Sequence, residues 1–76
     1  MKKRIFFMAI MILLVSVSAL GQNAKKYYKA GTEFFDGMKY DDAVVQFTNA
    51  IGLQPSDPDY YSARGQAYEN LFKYSE

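Results

Sequence analysis

Apolar and polar positions divide the 76 residues into two unlike parts. Ile5 to Val15 is an unbroken apolar run of 11, preceded by basic Lys2, Lys3 and Arg4 and followed by the small-residue stretch Ser16 to Gly21. After residue 23 the apolar residues recur at spacings of three and four, first as Tyr27, Ala30, Gly31 and Phe34 and then as Ala43, Val44, Phe47, Ala50 and Ile51. That period marks helices with one buried face. It predicts a first helix over Ala24–Asp36, a second over Tyr40–Leu53 and a third from Pro58 to about Phe72. Asn23 is placed to cap the first, which Gly37, Met38 and Lys39 close. Asp41 and Asp42 face the positive end of the second helix dipole. Pro55 turns Gln54 out of the helical region, and Asp57 followed by Pro58 starts the third helix. Gly31 in mid-helix costs ~1 kcal/mol in propensity. Close approach of the first two helix backbones, with Gly31 opposite Ala43, is expected to offset it.

A basic start, an apolar centre and a small-residue end are the three regions of a secretory signal, here residues 1–21. Small side chains one and three places before the cut suit Ala19 and Gly21, with cleavage before Gln22. Val17 and Ala19, with cleavage before Leu20, are the alternative. An uncleaved anchor is the competing reading, but Ile5 to Leu20 gives only 16 largely apolar residues where a span needs ~20. Export to a periplasm, cell envelope or exterior is the expected destination, and membrane contact is expected only through this transient segment.

Beyond the signal the chain repeats itself. Shifting residues 24–42 by 34 onto 58–76 pairs Tyr27 with Tyr61, Gly31 with Gly65, Lys39 with Lys73 and Tyr40 with Tyr74. Phe34 with Tyr68 and Asp42 with Glu76 are conservative pairs. A 34-residue unit of two helices resembles the tetratricopeptide repeat, and the positions that carry the resemblance are Tyr27, Ala30, Gly31, Phe34, Ala43, Phe47, Ala50 and Pro55. The second copy supplies Tyr61, Arg64, Gly65, Tyr68 and Tyr74, with Arg64 where the family usually has leucine. The resemblance implies an all-α solenoid of helix-turn-helix units: a first repeat over 24–57 and the truncated first half of a second over 58–76. It also implies packing roles for those repeat positions, and helix two is expected to cover only part of the helix-three face formed by Tyr61, Tyr68, Leu71 and Phe72.

Composition then limits the chemistry. No cysteine is present, so disulfides, thiolate metal sites and cysteine nucleophiles are excluded, and no histidine supplies the usual general base or metal ligand. Without the signal, 6 basic side chains face 8 acidic ones. Only Lys25, Lys26 and Lys29 cluster, as a solvated face, which argues against a nucleic-acid partner. Asp41 with Asp42, and Asp57 with Asp59, sit at helix starts, where capping and the dipole account for them; neighbouring helical residues point about 100° apart, which does not suit an acid pair. No catalytic residue, metal or cofactor is expected.

What remains is binding. Tyr28 and Phe35 fall off the packing stripe, on the side of helix one that the resemblance assigns to the concave groove of a solenoid. With Lys25, Thr32 and Asp36 from helix one, and Asp59, Ser62, Gln66, Glu69 and Asn70 from helix three, they outline a mixed groove for another protein or peptide. The alternative role for Phe35 is to cover a neighbouring helix. One specialised branch of the family grips a C-terminal carboxylate with lysine and asparagine, and Tyr28 and Thr32 occupy those places. The expectation is therefore an exported, non-catalytic interaction module. The alternative is a spacer or docking region of a longer envelope receptor, sensor or peptidoglycan-binding protein.

Overall fold

A computed structural model describes residues 2–74, with side chains from Ala19 onward. The basic and apolar stretches read as an export signal therefore lie outside the described side chains. Three helices follow in order: α1 (Lys2–Asp36), α2 (Tyr40–Leu53) and α3 (Pro58–Tyr74). Turns of three and four residues leave consecutive helices no choice but to fold back as antiparallel neighbours. The core shows this directly. Ala24 near the start of the packed part of α1 meets Ala50 late in α2, while Phe34 and Phe35 late in α1 meet Ala43 early in α2. Helix α2 packs broadly against both others, and α1 touches α3 only narrowly.

The second helix has the bounds that its sequence pattern predicts. The first does not begin at Ala24: α1 runs through Asn23 without a break, so Asn23 lies inside the helix and caps nothing. No proline interrupts the segment, and Leu20, Ala24, Tyr27 and Gly31 continue the spacing of three and four across it. Helix α3 extends two residues past Phe72 to Tyr74, whose ring stacks on Tyr40 with centroids 5.9 Å apart.

Both turns show why the helices stop. After Asp36, the Lys39 amide donates to the Phe34 carbonyl at 2.9 Å and the Met38 amide to Phe35 at 3.0 Å. This is the paired closure of a Schellman motif, whose pivot must be left-handed. Met38 is that pivot, with φ at 63°, although Gly37 stands one place before it. A non-glycine residue there carries roughly 1 kcal/mol of steric cost. Met38→Gly is accordingly expected to raise stability by about 0.5–1 kcal/mol, read as a higher denaturant midpoint. Met38 is exposed, so no packing is lost. At the second turn Gln54 is extended ahead of Pro55, and the Asp59 amide donates to Asp57 Oδ1 at 2.9 Å, so Asp57 is the cap of α3.

The core is narrow. Its buried members are Ala24, Ala43, Phe47, Ala50, Tyr60 and Ala67, together with Gly31. Four alanines let the helices approach closely, and the rings of Phe47 and Tyr60 fill what the alanines leave. Gly31 belongs to this arrangement, and the atoms nearest to it are those of the Phe47 ring. A Cβ on Gly31 would stand 2.5 Å from Cε1 and 2.6 Å from Cδ1 of Phe47, so the glycine is a socket for that ring.

Candidate functional site

Where α1, α2 and α3 converge, Tyr28, Thr32, Phe35, Phe47, Ala63 and Gln66 enclose a cleft of about 110 Å³. Tyr28, Thr32, Phe35 and Gln66 are four of the residues that the sequence places in a groove, and the fold brings them together. Phe47 forms the floor, and Ala63 joins the lining from α3. Neither was legible as a groove residue, since Phe47 reads as core and an alanine announces no chemistry. Lys25, Asp36, Ser62 and Glu69 are exposed, at helical spacing from the cleft along α1 and α3. Asn70 is partly buried, its amide donating to the Gln66 carbonyl at 2.8 Å. Thr32 donates its hydroxyl to the Tyr28 carbonyl at 3.0 Å.

The expectation that Tyr28 stands clear of the core is corrected. Its ring lies 5.7 Å from Phe47 and 5.2 Å from Tyr60, centroid to centroid, and it packs against both core clusters. Phe35 is half-buried and meets Tyr40 edge-on at 5.3 Å, so it does cover a neighbouring helix as well as lining the cleft. Tyr60, which the sequence reading passed over, is only 3% exposed. Burial pushes its phenol above the ordinary tyrosine value, and the charges of Asp57, Tyr28 and Asp59 push it the same way. The folded state thus binds the phenolic proton more tightly than the unfolded state. Its contribution is complete below the unfolded value of about 10 and is lost as pH rises past it toward the higher folded value. Urea midpoints at pH 9 and pH 11 are expected to fall further apart in the native chain than in Tyr60→Phe, which keeps the ring and removes the titrating group.

On the opposite side of α1 two wider grooves open, the first between α1 and α2 and the second between α1 and the turn that follows it. One of about 530 Å³ is lined by Asn23, Lys26, Tyr27, Ala30, Gln46 and Leu53, and one of about 390 Å³ by Ala30, Glu33, Phe34, Gly37 and Lys39. Among the described residues no cluster of three His, Cys, Asp or Glu side chains could hold a metal ion, and no helix is long and apolar enough to cross a membrane. The acidic pairs serve the backbone: Asp41 Oδ1 accepts from the Asp42 amide at 2.9 Å, as Asp57 does from Asp59.

The antiparallel pair of α1 and α2, with a glycine socket on the first and an aromatic knob on the second, and a third helix laid alongside match the repeat read from the 34-residue period. The family model for the TPR repeat matches residues 24–71. The chain belongs to the tetratricopeptide repeat family. A 41-residue stretch, 54% of the chain, is 46% identical to Hsp70-Hsp90 organizing protein 2 of Arabidopsis thaliana. That stretch covers 7% of the plant protein's length. No solved structure matches the chain. Tetratricopeptide repeats bind other proteins or peptides, and the chain carries that kind of module.

Of the family packing positions, Gly31, Ala43, Phe47 and Ala50 are buried, and Ala30 and Phe34 are partly so. Tyr27, Tyr61 and Tyr68 are not core residues here, being 39%, 42% and 40% exposed. Pro55 and Gly65 are also exposed, as is Tyr74 despite its stacking. The reason is local. Tyr27 borders the outer α1–α2 groove, and no described helix lies over the Tyr61–Tyr68 side of α3. Arg64 uses its place otherwise than leucine would, laying its guanidinium 5.7 Å from the Tyr61 ring centroid and donating from Nη1 to Thr48 Oγ1 at 3.4 Å. It thereby ties α3 to α2.

Proposed function

We propose that this chain is an exported protein-interaction module that presents the α1–α3 groove to a protein or peptide and carries out no reaction itself. The observation that carries the reading is the convergence of Tyr28, Thr32, Phe35 and Gln66 on one cleft floored by Phe47. Half-buried rings held by a packed frame cost little entropy on binding, and such positions dominate interface energies. The absence of cysteine and histidine from the whole sequence supports a non-catalytic role.

Export rests on the order of basic, apolar and small residues over 1–21. Cleavage before Gln22 would leave Ala24, which packs with Ala50 and Tyr60, inside the mature chain. It would also turn Asn23 from a mid-helix residue into one able to cap the new helix start. The test is expression in a host with a secretory pathway, followed by intact mass of the exported protein and pull-down with the groove as bait. A mature N-terminus at Gln22, or its cyclised form, and partners lost on Tyr28→Ala are expected. Recovery of full-length chain in the membrane fraction overturns the cleavage, and partners that are indifferent to the groove overturn the binding site.

A further inference from the structure

The cut before Gln22 falls inside the helix that builds the core. Ala19, Leu20, Gly21 and Gln22 all belong to α1, which runs through them without a break. A peptidase cuts chain that lies extended, and in a folded protein only the locally opened population offers such chain. Ala19 to Asn23 advance about 1.5 Å per residue as helix and ~3.3 Å when extended, so drawing them out displaces the chain on at least one side of the cut. Helical carbonyls in this stretch accept from amides four places on, as far as Tyr27. The extended form therefore gives up the first turns of the packed part of α1.

Tertiary contacts close the same segment. Gly21 is half-buried, and a Cβ there would stand 3.9 Å from Oε1 of Gln54, the residue that ends α2. Ala24, three places after Gly21, is 0% exposed and packed with Ala50 and Tyr60. One turn further on, the Tyr28 ring is held 5.2 Å from Tyr60 and 5.7 Å from Phe47. The helix cannot fray past Asn23 without pulling Ala24 out of this cluster. Resting on the export reading above, we propose that the folded repeat protects its own cleavage site, so that folding and processing compete. A chain that is processed first loses its apolar run and then folds from Gln22 onward. A chain that folds first keeps the run, and whatever stabilises the packed repeat prolongs that unprocessed form.

The test is a time course of cleavage by a purified signal peptidase on the full-length chain in a non-ionic detergent, read by intact mass. A blocked peptide spanning Leu13–Tyr27 serves as the unpacked reference, since a helix of that length is marginal alone. The peptide is expected to be cut before Gln22, and the native chain roughly tenfold more slowly or less. Phe47→Ala, which removes the core ring without touching the cut, should approach the rate of the peptide. Leu20→Gly weakens the helix at an exposed position; it should speed cleavage of the chain several-fold, leave its melting by circular dichroism near native and not change the rate of the peptide. Cleavage of the native chain as fast as the peptide overturns the protection and leaves the export reading standing. Equally slow cleavage of native chain, Phe47→Ala and Leu20→Gly beside a rapidly cut peptide also overturns it, because neither packing nor helix would then be the barrier. A peptide that is not cut before Gln22 overturns the export reading and the inference together.

Discussion

Phe47→Ala is expected to abolish cooperative unfolding of the repeat. Phe47 is 2% exposed and, among the described residues, is the largest fully buried side chain. Its ring fills the Gly31 socket, meets Tyr28 and joins Ala43 and Ala67 into one cluster. Large-to-small changes at such sites cost about 3–5 kcal/mol. Collapse is the usual way a structure limits that cost, and here the fully buried neighbours Gly31, Ala43 and Ala67 have no side-chain length to move inward. Small domains bury proportionally less surface and have little stability to lose. Far-ultraviolet circular dichroism against temperature is the measurement. The native chain should melt with a transition and Phe47→Ala should drift without one, while Val45→Ala, exposed on the same helix, should stay within about 0.5 kcal/mol of native. A native-like melt for Phe47→Ala would mean that the ring does not hold the three helices together.

Helix α2 was legible at both ends because each end carries a local signal. Asp41 and Asp42 open it, and Gln54 before Pro55 closes it. The cap of α3 was legible for the same reason, as Asp57–Pro58 is a start signal whatever surrounds it. The beginning of α1 was not, because a good capping residue is only an opportunity. Asn23 becomes a cap when the chain before it leaves the helical region, and nothing in Leu20–Gln22 makes it leave. Met38 shows a similar limit. Gly37 is the residue that tolerates a left-handed backbone, yet the hydrogen bonds from Met38 and Lys39 fix the pivot one place later.

The site was half legible, and the errors share a cause. Tyr27–Tyr28 and Tyr60–Tyr61 are adjacent pairs, and a stripe of spacing three and four admits either member. Resemblance to the repeat selected Tyr27 and Tyr61. Such a reading gives each helix one buried face, whereas α1 has two neighbours. Tyr28 points into the notch shared by α2 and α3 and meets Tyr60 there, which leaves Tyr27 and Tyr61 on the open flanks. Depth in a three-helix notch depends on how α3 lies across α1, and no sequence period reports that. Phe47 and Ala63 were missed in the cleft for the same reason, since one is core to two helices and lining only to the third.

Three glycines give the sharpest separation between propensity and packing. Each lies inside a helix, so replacement by alanine should stabilise by ~1 kcal/mol if nothing stands in the way. At Gly65 and Gly52 no atom lies within 4 Å of the new Cβ, and Gly65→Ala and Gly52→Ala are expected to show that gain. At Gly31 the same methyl meets Phe47 at 2.5, 2.6 and 3.1 Å. The ring is buried and held by Tyr28, Ala43 and Ala67, and moving it off α1 gives up those contacts, so overpacking of about 1–3 kcal/mol exceeds the propensity gain and Gly31→Ala should destabilise. A domain this small shifts by about 4–8 °C per kcal/mol, so Gly31→Ala and Gly65→Ala should melt on the order of 10 °C apart on opposite sides of the native chain. Gly31→Leu should be worse than Gly31→Ala, while Lys26→Ala on the exposed face should not differ from native by more than about 0.5 kcal/mol. The double variant Gly31→Ala with Phe47→Leu supplies the last step, because a smaller knob should accept the filled socket and lose less than the two single changes together. If Gly31→Ala stabilises as Gly65→Ala does, the Phe47 ring is not seated on α1, and the close approach that defines the repeat is absent.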